Sequence, residues 1–519
     1  MTRSSSVLSR RYSRLLAAAS GLLLAFAFPA ADWNALAWVA LVPLLWLLSG
    51  ASPRAAFALG WIHGMAFYVG TLYWIVYTIG SYTPIPYPVA VIPLLLLCAV
   101  LSLYTGAFAV GTALTARAGI EPALFAPPWW VTLEWLRSWL GIGFPWVSLG
   151  YSQYRSHSLV QGAEITGVYG ISFLVVLFNV VIASVLSQRG TLRSRAAQLV
   201  ALTLLLASAQ QFGTWRRRDL AHREPAHSLR AAVVQGNIPQ ERKWDPDYQE
   251  TTITTYERLS REAAQHNVQL IVWPETAVPA FFQLDGPIAE RVRTLAQATG
   301  VWLLFGSPGV EPDADGALRA RNRVYLVSPD GQTAAHYDKL ILVPFGEYVP
   351  LQPLLFFVDK VVEGAEGFAP GSGPHALAFG SHRAGVMICY EAIFPALARR
   401  LVASGADLLV NVTNDAWFGP TSAPFQHLAM ASLRAVENRV PILRAANTGI
   451  SAFVHPDGRI EQATELFQPA YRVVELSWPA VETVYRRYGD VFAVGCVIWS
   501  AGVGVACVRR RTRGIWVPA

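Results

Sequence analysis

Four short segments of this 519-residue chain carry residue types able to do covalent chemistry. Trp273-Pro274-Glu275 ends in a carboxylate. Tyr337-Asp338-Lys339 is followed by Leu342-Val343-Pro344-Phe345-Gly346-Glu347-Tyr348-Val349-Pro350. The third is Ile388-Cys389-Tyr390-Glu391, and the fourth Asn411-Val412-Thr413-Asn414-Asp415-Ala416-Trp417-Phe418-Gly419. A cysteine nucleophile attacks as the thiolate, and a neighbouring cation lowers its pKa. Lys339 would supply that charge. With the backbone N–H after Cys389, it would also stabilise the oxyanion of a tetrahedral intermediate. Glu275 would take the thiol proton and later deprotonate a second nucleophile. Taken singly, each residue has a bland reading: a core cysteine, a solvated strand-end carboxylate, a surface lysine. It is their order and context that point to one site.

Positioning these groups requires strands that end where they sit. The segment 268–275 reads as a buried strand ending in Glu275, and 385–389 as a strand running into Tyr390-Glu391. A strand-to-helix bend at Cys389 would expose the sulfur and aim helix N–H groups at it. Further strands are expected at 229–237, 301–306, 406–412 and 440–446, and helices at 246–266, 285–299 and 424–437. Two hairpins are expected: 322–327 with 333–337 about Ser328-Pro329-Asp330-Gly331, and 451–460 about Pro456-Asp457-Gly458. Alternating helices and strands with added hairpins suggest stacked sheets covered by helices.

The rest of the chain is of another kind. It is 53% hydrophobic and only 14% charged, against roughly 25% charged in soluble proteins, and its mean hydropathy is +0.35. Apolar runs at 13–29, 33–49, 55–79, 88–115, 122–140, 164–187 and 197–213 precede the polar region, and 490–508 follows it. Their lengths suit about eight membrane spans. The expected organisation is a membrane domain over 1–214, a catalytic domain over 228–475 and a last span at 488–510. The proline-rich stretch 84–93 reads as a loop. Glu134 and Arg137 share a helix face and are expected as an ion pair or a substrate contact.

The net charge of +7 lies largely in arginines beside apolar runs: Arg3, Arg10, Arg11, Arg14, Arg54, Arg117, Arg189, Arg193, Arg195, Arg509, Arg510, Arg511 and Arg513. All fall on one side of the membrane if the spans alternate, which puts both termini in the cytoplasm and the polar domain outside. Arg216–Arg218 and Arg486–Arg487 break the pattern, and long domains translocate largely regardless of charge. Basic balance of this kind points to a bilayer rather than to nucleic acid. Cys98, Cys496 and Cys507 lie in apolar runs, so Cys389 has no disulfide partner in the polar region. With no C-x-x-C pair and no H-E-x-x-H, no metal is expected.

The Glu-Lys-Cys order resembles the nitrilase superfamily. Within it, nearly the whole chain resembles the integral-membrane branch, the bacterial apolipoprotein N-acyltransferase family. Beside the four segments, Val234-Gln235-Gly236-Asn237-Ile238-Pro239-Gln240 followed by Lys243-Trp244 is similar to that family's entry strand and loop. The resemblance implies a multi-span helical domain plus an extramembrane αββα sandwich. Glu275 is then the base, Lys339 the oxyanion stabiliser and Cys389 the nucleophile. Glu347 would orient Lys339 or assist proton transfer, Trp244 would serve substrate entry, Asn322 would orient the site, and Tyr390 and Glu391 would support the cysteine.

The activity implied is ping-pong. Cys389 takes an acyl group from the sn-1 position of a phospholipid, and the amine of an S-diacylglyceryl cysteine at an apolipoprotein N-terminus accepts it. No cofactor is implied, and the protein is expected as a monomer of the bacterial inner membrane with its catalytic domain periplasmic. Two anchored substrates favour a site at the bilayer surface, because no lipid chain then has to enter water. The apolar segment 351–358, with Phe356 and Phe357, is a candidate lid. Three rivals stay open on the residues alone. One is a membrane-tethered amidase with the same triad, one a Cys-His hydrolase using His382 or His427, and one a silent lipoprotein-binding scaffold.

Overall fold

The structure is a computed structural model and describes residues 2–141, 143–188, 191–313, 316–349 and 367–513. The candidate lid 351–358 and Arg189 lie outside the described residues. The chain forms two compact units: Met1–Ser81 with Ile85–Arg217 and Asp490–Ala519, and Tyr82–Pro84 with Arg218–Gly489.

The first unit is helical. Among the described residues, five helices are long and apolar enough to cross a membrane: Pro53–Leu72, Tyr87–Arg117, Val168–Leu186, Leu192–His222 and Val491–Thr512. The other apolar runs are helical too: Thr2–Phe26, the short Asn34–Leu47 and the 16-residue Pro122–Arg137. The stretch 84–93 is not the expected loop. The helix starts at Tyr87, Pro88 sits in its first turn and Pro93 lies inside it. A proline in the first turn sacrifices no intrahelical bond. Pro53–Leu72 and Tyr87–Arg117 approach closely through Gly60 and Gly64. A Cβ on Gly60 would lie 2.5 Å from the Thr105 carbonyl oxygen, and one on Gly64 2.1 Å from Thr105 Oγ1. One-turn spacing of small residues is the usual means of close helix contact in lipid. Glu134 and Arg137 are both buried, with separate partners. Glu134 Oε1 accepts from the Leu149 N–H at 2.6 Å, and Arg137 donates to Tyr68 Oη at 2.9 Å and Ser148 Oγ at 3.1 Å.

The second unit holds twelve strands among its described residues: β1 His227–Gln235, β2 Leu270–Val272, β3 Trp302–Pro312, β4 Leu318–Val327, β5 Thr333–Asp338, β6 Ala376–Phe379, β7 His382–Ile388, β8 Leu408–Thr413, β9 Ile442–Ala446, β10 Ala452–Val454, β11 Ile460–Glu461 and β12 Ala470–Trp478. They form two sheets in the orders β12-β1-β2-β3-β4-β5 and β11-β10-β9-β8-β7-β6. Each has a parallel centre, β1-β2-β3 and β7-β8-β9, with antiparallel flanks.

Strand alternation explains the layering. Leu229, Ala231 and Val233 of β1 pack with Val386, Val410 and Leu443 between the sheets. Ala232 and Val234 face Tyr256, Leu259 and Val292 of the helices Pro246–Ala264 and Pro287–Thr299. Both faces of β1 are therefore buried, which is why it reads as an unbroken apolar run. Pro395–Ala403 and Ala423–Asn438 cover the second sheet, through residues such as Leu401, Leu428 and Ala435. The result is an αββα sandwich.

Candidate active site

The site forms where strands end. Glu275 follows β2, Lys339 directly follows β5, Cys389 directly follows β7 and Asn414 directly follows β8. Each side chain therefore hangs from a rigid base. Trp273, just before Glu275, is anchored by donating from Nε1 to Ser260 Oγ at 2.8 Å. Gly306 of β3 lets the Glu275 backbone come close, for a Cβ there would sit 2.3 Å from the Thr276 nitrogen.

Glu275 and Lys339 are both buried, 7% and 1% exposed. Glu275 Oε1 accepts from Asn322 Nδ2 at 2.7 Å and lies 3.5 Å from Lys339 Nζ. Its Oε2 accepts from the Asn414 N–H at 2.9 Å. Lys339 Nζ donates to Glu347 Oε1 at 2.9 Å, and Asn322 Nδ2 reaches the same oxygen at 2.9 Å. Glu347 Oε2 accepts from the Val343 N–H at 2.8 Å. Burial acts to lower the Lys339 pKa, but Glu347 and Glu275 outweigh it and hold the ammonium charged.

Cys389 opens the short turn Cys389–Ile393 with φ +52°. This left-handed conformation is uncommon for a residue with a Cβ, and it persists only where neighbours enforce it. The enforcing contacts are visible. Glu391 accepts from the N–H groups of Ile388 at 2.7 Å, Leu340 at 2.6 Å and Ile341 at 3.1 Å, tying the turn to the Lys339 loop. His427 Nε2 donates to the Cys389 carbonyl oxygen at 3.1 Å.

Two expectations for the thiol change. It is buried, only 8% exposed, rather than opened up by the bend. Its pKa is raised, by burial first and then by Glu275, more than Lys339 lowers it. Cys389 thus rests as a thiol, and to act as a nucleophile it would need a base at the moment of attack.

His427, a rival base, is buried behind the turn. Its Nε2 serves the Cys389 carbonyl and its Nδ1 faces Asp415 Oδ1 at 3.1 Å and Arg444 Nη2 at 3.3 Å. Both ring nitrogens are thereby engaged. His382 starts β7, at the end opposite Cys389. Tyr390 is buried, its ring edge-on to Phe394 at 5.1 Å. Trp244 is 52% exposed on the loop after β1, outside this cluster.

Three features escaped the sequence reading. Lys243 is 3% exposed and donates from Nζ to the Glu275 carbonyl oxygen at 3.0 Å. Burial lowers its pKa to about 8, although Glu275 and Cys389 pull the other way. The others are the Asn414 N–H and Gly306. A main-chain donor has no residue signature, and a glycine's neighbours are set by tertiary contact.

Comparison with known proteins agrees with the two-part architecture. Residues 230–484 match the carbon-nitrogen hydrolase family model, and residues 20–181 match the apolipoprotein N-acyltransferase N-terminal domain. The apolipoprotein N-acyltransferase of Geobacter metallireducens is 44% identical over 97% of this chain and 96% of its own length. That of Methylococcus capsulatus is 34% identical over 96% of each. Among solved structures, a Nesterenkonia amidase of the nitrilase superfamily is 21% identical, covering 52% of this chain and 97% of its own, with a TM-score of 0.39.

Proposed function

Because the chain belongs to the apolipoprotein N-acyltransferase family, we propose that it acylates the N-terminal amine of S-diacylglyceryl-cysteine lipoproteins by a Glu275-Lys339-Cys389 ping-pong reaction. It is an acyltransferase of the inner membrane, crosses the bilayer several times and works on lipid substrates. The observation that carries the mechanism is the convergence of Glu275, Lys339 and Glu347 through Asn322 beside the left-handed turn at Cys389.

In the first half-reaction the Cys389 sulfur attacks a phospholipid ester carbonyl while Glu275 takes the thiol proton. Lys339 and the Tyr390 N–H stabilise the oxyanion. Collapse breaks the ester C–O bond, Glu275 returns the proton to the departing oxygen, and lysophospholipid leaves. In the second, the acceptor amine attacks the thioester and Glu275 takes its proton. The C–S bond breaks and the thiolate recovers that proton. Glu347 holds Lys339 in register. We assign Trp244, exposed beside buried Lys243, to substrate entry.

Glu275→Gln should slow acyl-enzyme formation by about 10²–10⁴-fold, the usual value of general base catalysis. A variant acylating at the wild-type rate would remove Glu275 from the role. We assign the catalytic domain to the periplasm and both termini to the cytoplasm from the arginine distribution. Single cysteines at Ser328 and at Thr512 test this: in intact cells with a permeabilised outer membrane, a membrane-impermeant maleimide should label only the first. Labelling of Thr512 instead would reverse the orientation.

A further inference from the structure

A second constellation lies at the other end of β7. His227 opens β1, His382 opens β7 and Asp407 directly precedes β8. Asp407 Oδ2 lies 3.2 Å from His382 Nδ1 and 3.4 Å from His227 Nδ1. Ligand atoms of all three lie within 4.8 Å of one another. The His382 side chain is 6% exposed and the Asp407 side chain 14%.

The hydrogen bonds around His382 pose a problem. Its Nε2 lies 3.1 Å from the Ser228 carbonyl oxygen, which can only accept, so Nε2 carries the hydrogen. In the neutral ring, Nδ1 then turns a lone pair toward a carboxylate oxygen. Asp407 Oδ1 is already served by the Arg383 N–H at 2.9 Å, and no lysine or arginine side chain pairs with Asp407 among the described residues. A different cluster of the same kind, Glu311, His336 and Asp338, has no such gap. Arg323 donates to Asp338 at 2.6 Å and to Glu311 at 2.5 Å.

We propose that His227, His382 and Asp407 bind a divalent first-row cation of the Zn²⁺ kind through their two Nδ1 atoms and one carboxylate oxygen. Metal–ligand bonds of about 2.0–2.2 Å in a tetrahedron separate neighbouring ligands by roughly 3.3–3.6 Å, and the 3.2 and 3.4 Å separations lie within or just below that range. Imidazole nitrogen with carboxylate oxygen suits this class of metal. The Ser228 carbonyl fixes the tautomer that leaves His382 Nδ1 free to ligate, the usual outer-shell arrangement for a metal-bound histidine. Trp478 shields one side, its ring stacked on His227 at 5.4 Å while its Nε1 donates to the Asp407 carbonyl at 3.0 Å.

The cation braces the sandwich, since β1 belongs to one sheet and β7 and β8 to the other. The seven residues of β7 hold it about 23 Å from Cys389 at ~3.3 Å per residue. It therefore acts on stability rather than on acyl transfer. Sequence motifs for zinc rest on ligands close together in the chain, and these three come from distant segments.

The test uses the full chain in detergent micelles, stripped with a chelator and titrated with Co²⁺ and then Zn²⁺. The wild type should take up one equivalent of Co²⁺ with visible d–d absorption, lost when Zn²⁺ displaces it, and its Tm should rise by several degrees with either metal. In His227→Gln binding should weaken tenfold or more, and in Asp407→Asn it should vanish, while the acyl-enzyme forms at the wild-type rate in both. His227 is partly exposed, so its variant decides the matter alone if Asp407→Asn fails to fold. Equal binding in wild type and variants overturns the proposal. So does a wild type with neither absorption nor a Tm response, in which case the contact is an imidazolium–carboxylate pair.

Discussion

The side-chain amide of Asn322 donates to Glu275 Oε1 at 2.7 Å. An amide can hold a carboxylate in place but cannot take its proton, so this contact fixes Glu275 without competing for the role of base proposed for it. The same amide group reaches Glu347 Oε1 and so lies between two carboxylates, buried Glu275 and half-buried Glu347, that share one lysine.

Replacing Asn322 by Ala leaves both carboxylates short of a donor. Loss of a hydrogen bond to a charged group costs about 1.5–3 kcal/mol, so acyl-enzyme formation should slow by about 10–100-fold. Asn322→Asp should be slower still, with a third negative charge in the cluster. Single-turnover acylation of each variant measures this. Wild-type rates for Asn322→Ala would show that Lys339 and the Asn414 N–H suffice to position Glu275.

Lys243 gives a dependence of stability on pH. Its pKa falls from 10.5 to about 8 in the folded protein, through burial. Between about pH 8 and 10.5 the unfolded chain holds a proton that the folded one has released, so stability rises with pH across that window. Below about pH 8 the full cost of the buried ammonium is present, and above 10.5 it is gone. The span is worth about 3 kcal/mol at 1.36 kcal/mol per pH unit. Denaturant unfolding of wild type and Lys243→Met at pH 7.5 and pH 10 isolates this lysine from other groups titrating there. Between those two pH values the difference between the two proteins should change by most of that span, about 2.4 kcal/mol, in favour of wild type. An unchanged difference would mean that Lys243 keeps an ordinary pKa.

Glu391 binds three main-chain N–H groups and so sustains the left-handed turn at Cys389. Glu391→Gln turns one acceptor oxygen into a donor facing N–H groups. The expected loss is about 2–4 kcal/mol of stability, with acylation reduced even in the folded fraction. Thermal unfolding alongside acylation per folded molecule separates the two effects. Unchanged activity per folded molecule would limit Glu391 to a structural role.

The legible part of the molecule was local in the chain. Glu275 and Cys389 could be placed at strand ends because the runs before them are unbroken and apolar, and the turns at Gly331 and Gly458 announced their hairpins. Strand β12 went unread: its start at Ala470–Tyr471 alternates weakly, and it continues to Trp478, past the expected domain end at 475. Strand β6 is four residues long, too short for a periodic signal. The state of Cys389 was also out of reach. A nearby lysine suggested a lowered pKa, whereas burial and Glu275, both set by the folded arrangement, drive it up.

The most direct test of the central claim is intact mass spectrometry of the purified full-length protein after incubation with phosphatidylethanolamine, beside Cys389→Ser. The wild type should gain the mass of one fatty acyl group. The adduct should be labile to neutral hydroxylamine, absent from the variant as a thioester, and discharged when a diacylated lipopeptide is supplied. An adduct that forms without Cys389, or folded wild-type protein that never acquires one, would contradict the thioester mechanism.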